Sequence, residues 1–171
     1  MKVVVISASP RENGKTQHVM KATYDLVKAH ESTEVAFINL AEGGIDYYDG
    51  NGPQSIKTKK AVSDLLAADV WLIGSPVYNS FFSAALKNLF EFIDYKKTKG
   101  KICGLAVIGA STISFMQVQN AVIGLMTYFK VVTNPQTVFV LSEDICDDGK
   151  LKDDVEKRLK EMIDSTLSLA R

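Results

Sequence analysis

The chain is 171 residues long, enough for one domain with a full hydrophobic core. Hydrophobic residues make up 46% and charged residues 23%, which excludes a disordered or collagen-like chain. Its 20 basic side chains offset its 20 acidic ones, so a general nucleic-acid or membrane-surface role has no electrostatic basis.

The first predicted element is a strand over Lys2 to Ile6, a Val-rich run of the kind buried on both sheet faces. The run is too short for a signal-peptide core, and nothing later in the chain reaches bilayer length, so a cytoplasmic protein is expected. The stretch Ser7-Ala8-Ser9-Pro10-Arg11-Glu12-Asn13-Gly14-Lys15-Thr16 follows. A helix is expected from Gly14 to His30, with Val19, Thr23, Leu26, Val27 and His30 on one face. Glu34 to Leu40 reads as a second strand. Ala41 to Gln54 reads as a long loop punctuated by Gly43-Gly44, Gly50-Asn51-Gly52 and Pro53. A helix over Ser55 to Ala68, with Ser55 as N-cap, leads to a third strand over Asp69 to Ser75. Next come a helix from Ser83 to Asp94, a strand from Lys101 to Gly109 and a helix from Phe115 to Phe129. A strand from Val138 to Leu141 and a helix from Leu151 to Leu169 close the chain.

Two cysteines, Cys103 and Cys146, are too few for a disulfide framework. His18 and His30 both fall in the first predicted helix, away from either cysteine, so no zinc site is expected. Strands and helices alternate without a repeat or linker, which predicts one α/β domain over 1–171. Right-handed crossovers then give a parallel sheet covered on both faces. Five strands at this length fit a three-layer, doubly wound, flavodoxin-like sheet of order 2-1-3-4-5. Such a sheet binds ligands where the order reverses, between the first and third strands. The loops expected at that crevice are 7–14, 75–82 and 109–114.

The first loop has the makings of an anion site. A helix start leaves backbone N–H groups unpaired and carries partial positive charge, and a phosphate satisfies both. Ser9, Asn13 and Thr16 offer neutral donors, and Arg11 and Lys15 offer charge. The alternative is an ordinary solvated turn. In the second loop, Pro76 stiffens the turn, and the N–H groups and side chains around Val77, Tyr78, Asn79 and Ser80 suit a flat heteroaromatic ligand. In the third, Ser111 and Thr112 permit close approach of a ligand, as small residues do in any turn. Asn13-Gly14-Lys15-Thr16 also matches the end of a P-loop, which would make the chain a phosphotransferase. Ser9 stands where that motif needs its first glycine, and the third strand ends in Gly-Ser-Pro rather than a magnesium-binding Asp.

Two blocks carry a family resemblance. The first is 7–16. The second is Ser75-Pro76-Val77-Tyr78-Asn79-Ser80 with the following Ser83-Ala84-Ala85-Leu86-Lys87-Asn88. Together with the β/α order, they resemble the NAD(P)H-dependent FMN reductases of the flavodoxin-like superfamily, a group with azoreductase-like and quinone-reductase-like members. The resemblance implies FMN as cofactor and NAD(P)H as co-substrate. It also implies a small acceptor: a flavin, a quinone, an azo compound or a metal ion. Catalysis would then rest on the flavin, with no side chain required as acid or base. By the same resemblance, Ser9, Arg11, Asn13, Gly14, Lys15 and Thr16 surround the FMN phosphate, Pro76 to Ser80 wrap the flavin ring, and Ser111 and Thr112 lie at its polar rim. This chain departs from the pattern at Gly14, where many members have a hydroxyl residue, and at 109–114, which lacks paired glycines. Residues 41–54 contain no cysteine, unlike an iron–sulfur branch of the superfamily. An electron-carrier flavodoxin shares the fold and the cofactor, but such carriers are usually strongly acidic and this chain is neutral. The apolar 115–129 helix and Phe81-Phe82 suggest a homodimer or homotetramer.

Overall fold

Strand Lys2–Ser7 (β1) pairs in parallel with Glu34–Asn39 (β2) on one side and Val70–Pro76 (β3) on the other. Ile102–Gly109 (β4) continues the sheet in parallel beyond β3. The structure is a computed structural model that describes residues 1–170. The order is β2-β1-β3-β4 followed by an edge, so the reversal lies between β1 and β3 as the strand count predicts.

The edge corrects the expectation of five strands. Val132–Thr133 (β5) pairs with the start of β4, and Val138–Leu141 (β6) pairs with its end. The two are pieces of one edge position, broken at Asn134-Pro135. Pro135 has no N–H to give to a ladder. Asn134 turns its amide side chain away into the last helix, donating to Ser165 Oγ and Thr166 Oγ1, both at 2.8 Å. Its Oδ1 accepts from the Gln136 N–H at 2.9 Å, closing the turn that restarts the strand.

Five helices cover the sheet: Lys15–Lys28 (α1), Ile56–Ala67 (α2), Ala84–Glu91 (α3), Phe115–Tyr128 (α4) and Asp153–Leu169 (α5). Because β1, β3 and β4 are buried on both faces, the core forms two layers. Val4, Ile6, Trp71, Leu105 and Val107 face α2, α3 and α4, while Val3, Val5, Leu72 and Ala106 face α1 and α5. Trp71 is fully buried, and its indole N–H donates to Leu65 O at 2.9 Å. Lys101 reaches under the end of α2 and donates to Leu66 O and Ala68 O, filling carbonyls the helix leaves open. No helix among the described residues is long and apolar enough to cross a membrane.

Several boundaries shift for local reasons. α1 begins at Lys15, with Gly14 as its N-cap, and ends at Lys28. His30 therefore lies in the following turn, where Nε2 sits 3.3 Å from the Asp164 carboxylate on α5. α3 stops at Glu91, three residues short of the expected Asp94, and α5 starts at Asp153 because Leu151 bridges to Ile145. The long loop after β2 opens with a 3-10 turn over Leu40–Glu42 and is pinned down. Asp46 accepts the N–H groups of Gln54 and Ser55, both at 2.8 Å, which hold its carboxyl below the ordinary range. Asn88 on α3 accepts from the Tyr48 N–H and donates to Asp46 O.

Candidate functional site

The β1–β3 ladder ends one step past the strands, where the Ala8 N–H donates to Gly74 O at 2.9 Å. Beyond it the first loop folds on itself. The Gly14 N–H closes a turn on Arg11 O at 3.3 Å, with Asn13 at φ 50° in the left-handed region that asparagine tolerates. Gly14 then caps α1 with no side chain to satisfy the helix start. The backbone N–H groups of Lys15 and Thr16 have no hydrogen-bond partner among the described residues. Thr16 is 3% exposed, and its hydroxyl likewise makes no hydrogen bond among them. An uncapped helix start beside an unpaired hydroxyl that is open to the cleft is an arrangement that an anion completes.

The second loop is held from both sides. The Val77 N–H donates to Ile108 O at 2.9 Å, extending the β3–β4 ladder. Tyr78 and Phe81 exchange both N–H···O bonds at 2.9 Å around Asn79 and Ser80, whose φ values are 48° and 66°. This is a two-residue hairpin with both central residues left-handed. It consumes the N–H groups of Tyr78 and Phe81 but leaves those of Asn79 and Ser80 without a partner among the described residues. The Ser80 hydroxyl accepts from Ser114 Oγ at 2.7 Å, tying this loop to the third.

The third loop leaves β4 at Gly109. A Cβ there would lie 2.7 Å from the Phe115 ring and 3.2 Å from Val77 Cγ2, so glycine lets loop and strand close up. A fourth loop, after β6, completes the enclosure. Cys146 and Lys150 pair their backbones at 2.8 Å, and Gly149 packs against the His18 ring on α1. Lys15 donates from Nζ to Ile145 O at 2.8 Å, and Ser142 donates to Gly109 O at 3.3 Å. At the root of this loop the Lys152 ammonium, hydrogen-bonded to Asp144, holds that carboxyl below its ordinary value. Asp144 in turn raises the lysine.

The four loops enclose a cleft of about 530 Å³, within the range of small-molecule and cofactor sites. Of the residues singled out in the sequence, Ser9, Arg11, Asn13, Gly14, Lys15, Thr16, Pro76, Val77 and Tyr78 line it. Asn79, Ser80, Ser111 and Thr112 do not; all four are exposed beyond its rim. Two side chains are also engaged elsewhere than expected. Lys15 spends one ammonium proton on the fourth loop, and Ser9 faces Tyr78 rather than open space.

The family model described as NADPH-dependent FMN reductase matches residues 1–145. The chain belongs to this family. Relatives in it include the NADH-dependent FMN reductase SfnF of Pseudomonas putida, 25% identical over 150 residues, covering 84% of this chain and 78% of that one. They also include the FMN-dependent NADPH-azoreductase of Staphylococcus aureus (strain USA300), 25% identical over 156 residues, covering 84% and 82%. The fold superposes on a crystal structure of an NADH:FMN oxidoreductase, EMOB, in its apo form. The TM-score is 0.81 and the identity 21%, covering 98% of this chain and 89% of that one.

In this family member the fourth loop is the wall that sequence reasoning missed. Ser142, Cys146 and Asp147 line the cleft with His18, while Glu143 and Asp148 of the same loop are exposed. The available signal was Gly149 with Lys150, a turn pair between two apolar residues, Ile145 and Leu151. The other cysteine, Cys103, is buried in β4, and burial pushes its thiol up to about 12, which makes it inert.

Proposed function

We propose that this chain binds FMN in the 530 Å³ cleft and acts as an FMN-dependent NAD(P)H oxidoreductase, passing electrons from a reduced nicotinamide to a small acceptor. One observation carries the reading: the uncapped start of α1, with the unpaired Thr16 hydroxyl, opens into the same cleft as Pro76, Val77 and Tyr78. A phosphate on one side and a flat ring on the other suit those two walls, so the residues present fit the cofactor. When bound, FMN supplies the hydride and electron chemistry.

The chain's own groups bind and orient. The Lys15 and Thr16 N–H groups and the Thr16 hydroxyl take the phosphate, with Arg11 supplying charge and Asn13 and Gly14 shaping the turn. Pro76 to Tyr78 form a stiff wall for the ring. The unpaired N–H groups of Asn79 and Ser80 lie outside the cleft lining, past Tyr78, and would meet only a group that extends beyond its rim. Ser111 and Thr112 border the open side, from which the nicotinamide and the acceptor approach. P. putida SfnF is named for NADH and flavin, and the S. aureus enzyme for NADPH and azo compounds. The acceptor proposed here is therefore a class: flavin, quinone, azo compound or metal ion.

The test is an absorption spectrum of the purified protein with and without added FMN, followed by anaerobic NADH or NADPH. A flavin band that bleaches with one nicotinamide supports the reading and names the donor. A colourless protein that neither takes up FMN nor oxidises either nicotinamide overturns it. A bleached flavin that turns over only with a partner protein would make the chain a carrier.

We further propose a cytoplasmic homodimer or homotetramer in which residues 1–171 act as one unit. A second groove of about 740 Å³ lies between α3 and α4 and is lined by Tyr47, Tyr48, Phe81, Leu125 and Tyr128. Tyr47 is 86% exposed and Tyr128 62%, and large exposed apolar surfaces of this kind mark association sites.

A further inference from the structure

We propose that Tyr78 is a positioning residue for Arg11, and that the Ser9–Tyr78–Arg11 bracket lets the cleft distinguish a phosphorylated flavin from an unphosphorylated one. The inference rests on the proposed FMN reading.

The bracket joins the two loops just past the end of the β1–β3 ladder. Ser9 Oγ and Tyr78 Oη lie 3.0 Å apart. Ser9 Oγ also accepts the Arg11 N–H at 3.2 Å. The Arg11 guanidinium in turn lies over the Tyr78 ring, 5.3 Å from its centre. Arg11 is thus held at both ends by one unit, its backbone on Ser9 and its charge on the ring face. The unit itself is fixed. Ser9 is 2% exposed, and Tyr78 is locked by the hairpin to Phe81 and by Val77 on the β4 ladder.

The bracket forms without a ligand. Ser9 Oγ has one proton and two lone pairs. It takes the Arg11 N–H and shares its second contact with Tyr78, so it is already engaged within the bracket. Arg11 makes no ion pair among the described residues. A long, exposed, unpaired arginine loses much rotamer freedom when it clamps an anion. A ring face beneath it removes part of that freedom beforehand, and the cation–π attraction holds the charge on the side of the loop that borders the cleft.

Riboflavin carries the same ring and ribityl chain as FMN without the phosphate, so the pair separates the two walls. The experiment titrates the purified full chain, freed of flavin, with FMN and with riboflavin, reading quenching of flavin fluorescence. Wild type binds FMN more tightly than riboflavin, and Arg11→Ala collapses that ratio. Tyr78→Leu lowers FMN affinity about two- to fivefold more than riboflavin affinity, the scale of one exposed cation–π contact. Tyr78→Phe keeps the ring beneath Arg11 and retains most of the ratio. In the Arg11→Ala background, Tyr78→Leu leaves the ratio unchanged. Thermal unfolding of each variant checks the fold, and Tyr78→Met carries the same expectation should Tyr78→Leu fail to fold.

If Tyr78→Leu weakens both flavins equally, Tyr78 is only a wall for the ring and the proposal falls. If Tyr78→Leu tightens FMN, the ring holds Arg11 away from the phosphate and the proposal is reversed. Equal wild-type affinity for the two flavins also sinks it. Binding of neither flavin by wild type overturns the FMN reading itself.

Discussion

Thr16 sits on the first turn of α1 with a hydroxyl that the fold does not use. The Thr16 hydroxyl is open to the cleft, so the fold neither gains a bond from it nor bears the cost of burying it unpaired. Thr16→Val is therefore expected to leave stability within about 0.5 kcal/mol of wild type. The same change removes a donor from the proposed phosphate site. A hydrogen bond to a charged group contributes about 1.5–3 kcal/mol, so FMN affinity should fall by about tenfold or more. Thermal unfolding and an FMN titration on one preparation check both signs. A purely structural threonine would show the reverse, lower stability with unchanged affinity. Residues of this kind were legible in the sequence because the donor types cluster between a Val-rich strand and a helix. Which way each side chain points was not. Ser9 and Thr16 are both small hydroxyl residues in one loop, yet one turns to Tyr78 and the other makes no hydrogen bond among the described residues. That difference depends on Tyr78, which lies 69 residues away in sequence from Ser9.

At the scale of elements, the loop after β6 depends on one ion pair at its root. Asp144 Oδ1 accepts from Lys152 Nζ at 3.0 Å, and Asp144 Oδ2 accepts the Leu141 N–H at 3.2 Å. The lysine and then the backbone N–H lower the Asp144 carboxyl below 3.8, and the aspartate raises Lys152 above 10.5. A depressed carboxyl stabilises above its unfolded value and loses that contribution as pH falls through the folded value. A raised lysine stabilises below its unfolded value and loses it as pH rises through the folded one. The pair is therefore at full strength between about pH 4 and pH 10. Asp144→Asn is expected to lower Tm throughout that window, with the difference from wild type shrinking as pH drops below 3.8. Unfolding scans from pH 3 to pH 8 measure it, and a pH-independent difference would assign the loss to packing instead. This loop also shows the limit of pattern reading. Alternating strands and helices announced the sheet order because each element has its own period. The fourth wall has no period: Glu143, Asp147 and Asp148 are exposed in the folded chain as well, and only the fold brings Ser142, Cys146 and Asp147 to the cleft beside His18 on α1. The broken edge strand escaped for a related reason, since Val132–Thr133 is too short to register as a strand and pairs only because β4 is already there.

For the molecule as a whole, the apolar face between α3 and α4 sets the strongest expectation. Phe81 belongs to the hairpin that fixes Tyr78 and also lines this groove, so whatever covers the groove rests on the loop bordering the flavin cleft. Gly124 on α4 has open space where a side chain would project, which permits close approach of another surface. Lys87 and Glu91 pair with each other on the groove's edge, leaving no net charge to oppose association of identical copies. A stable dimer typically buries about 1,200–2,000 Å² in total, and exposed Tyr47, Phe81 and Tyr128 lie at the face that would supply it. Wild type is accordingly expected to sediment at two or four times 18.8 kDa. Tyr128→Glu places an unpaired carboxylate in that face at a side chain 62% exposed in the single chain, giving up only its ring contacts with Tyr95 and Phe129. It should sediment at 18.8 kDa with an unchanged circular dichroism spectrum. If copies meet through the groove, FMN should also dissociate faster from the Tyr128→Glu monomer, because the Phe81 hairpin loses its cover. A monomeric variant with wild-type flavin release would separate association from the cleft, and a wild type that sediments as a single chain would remove the oligomer from the proposal.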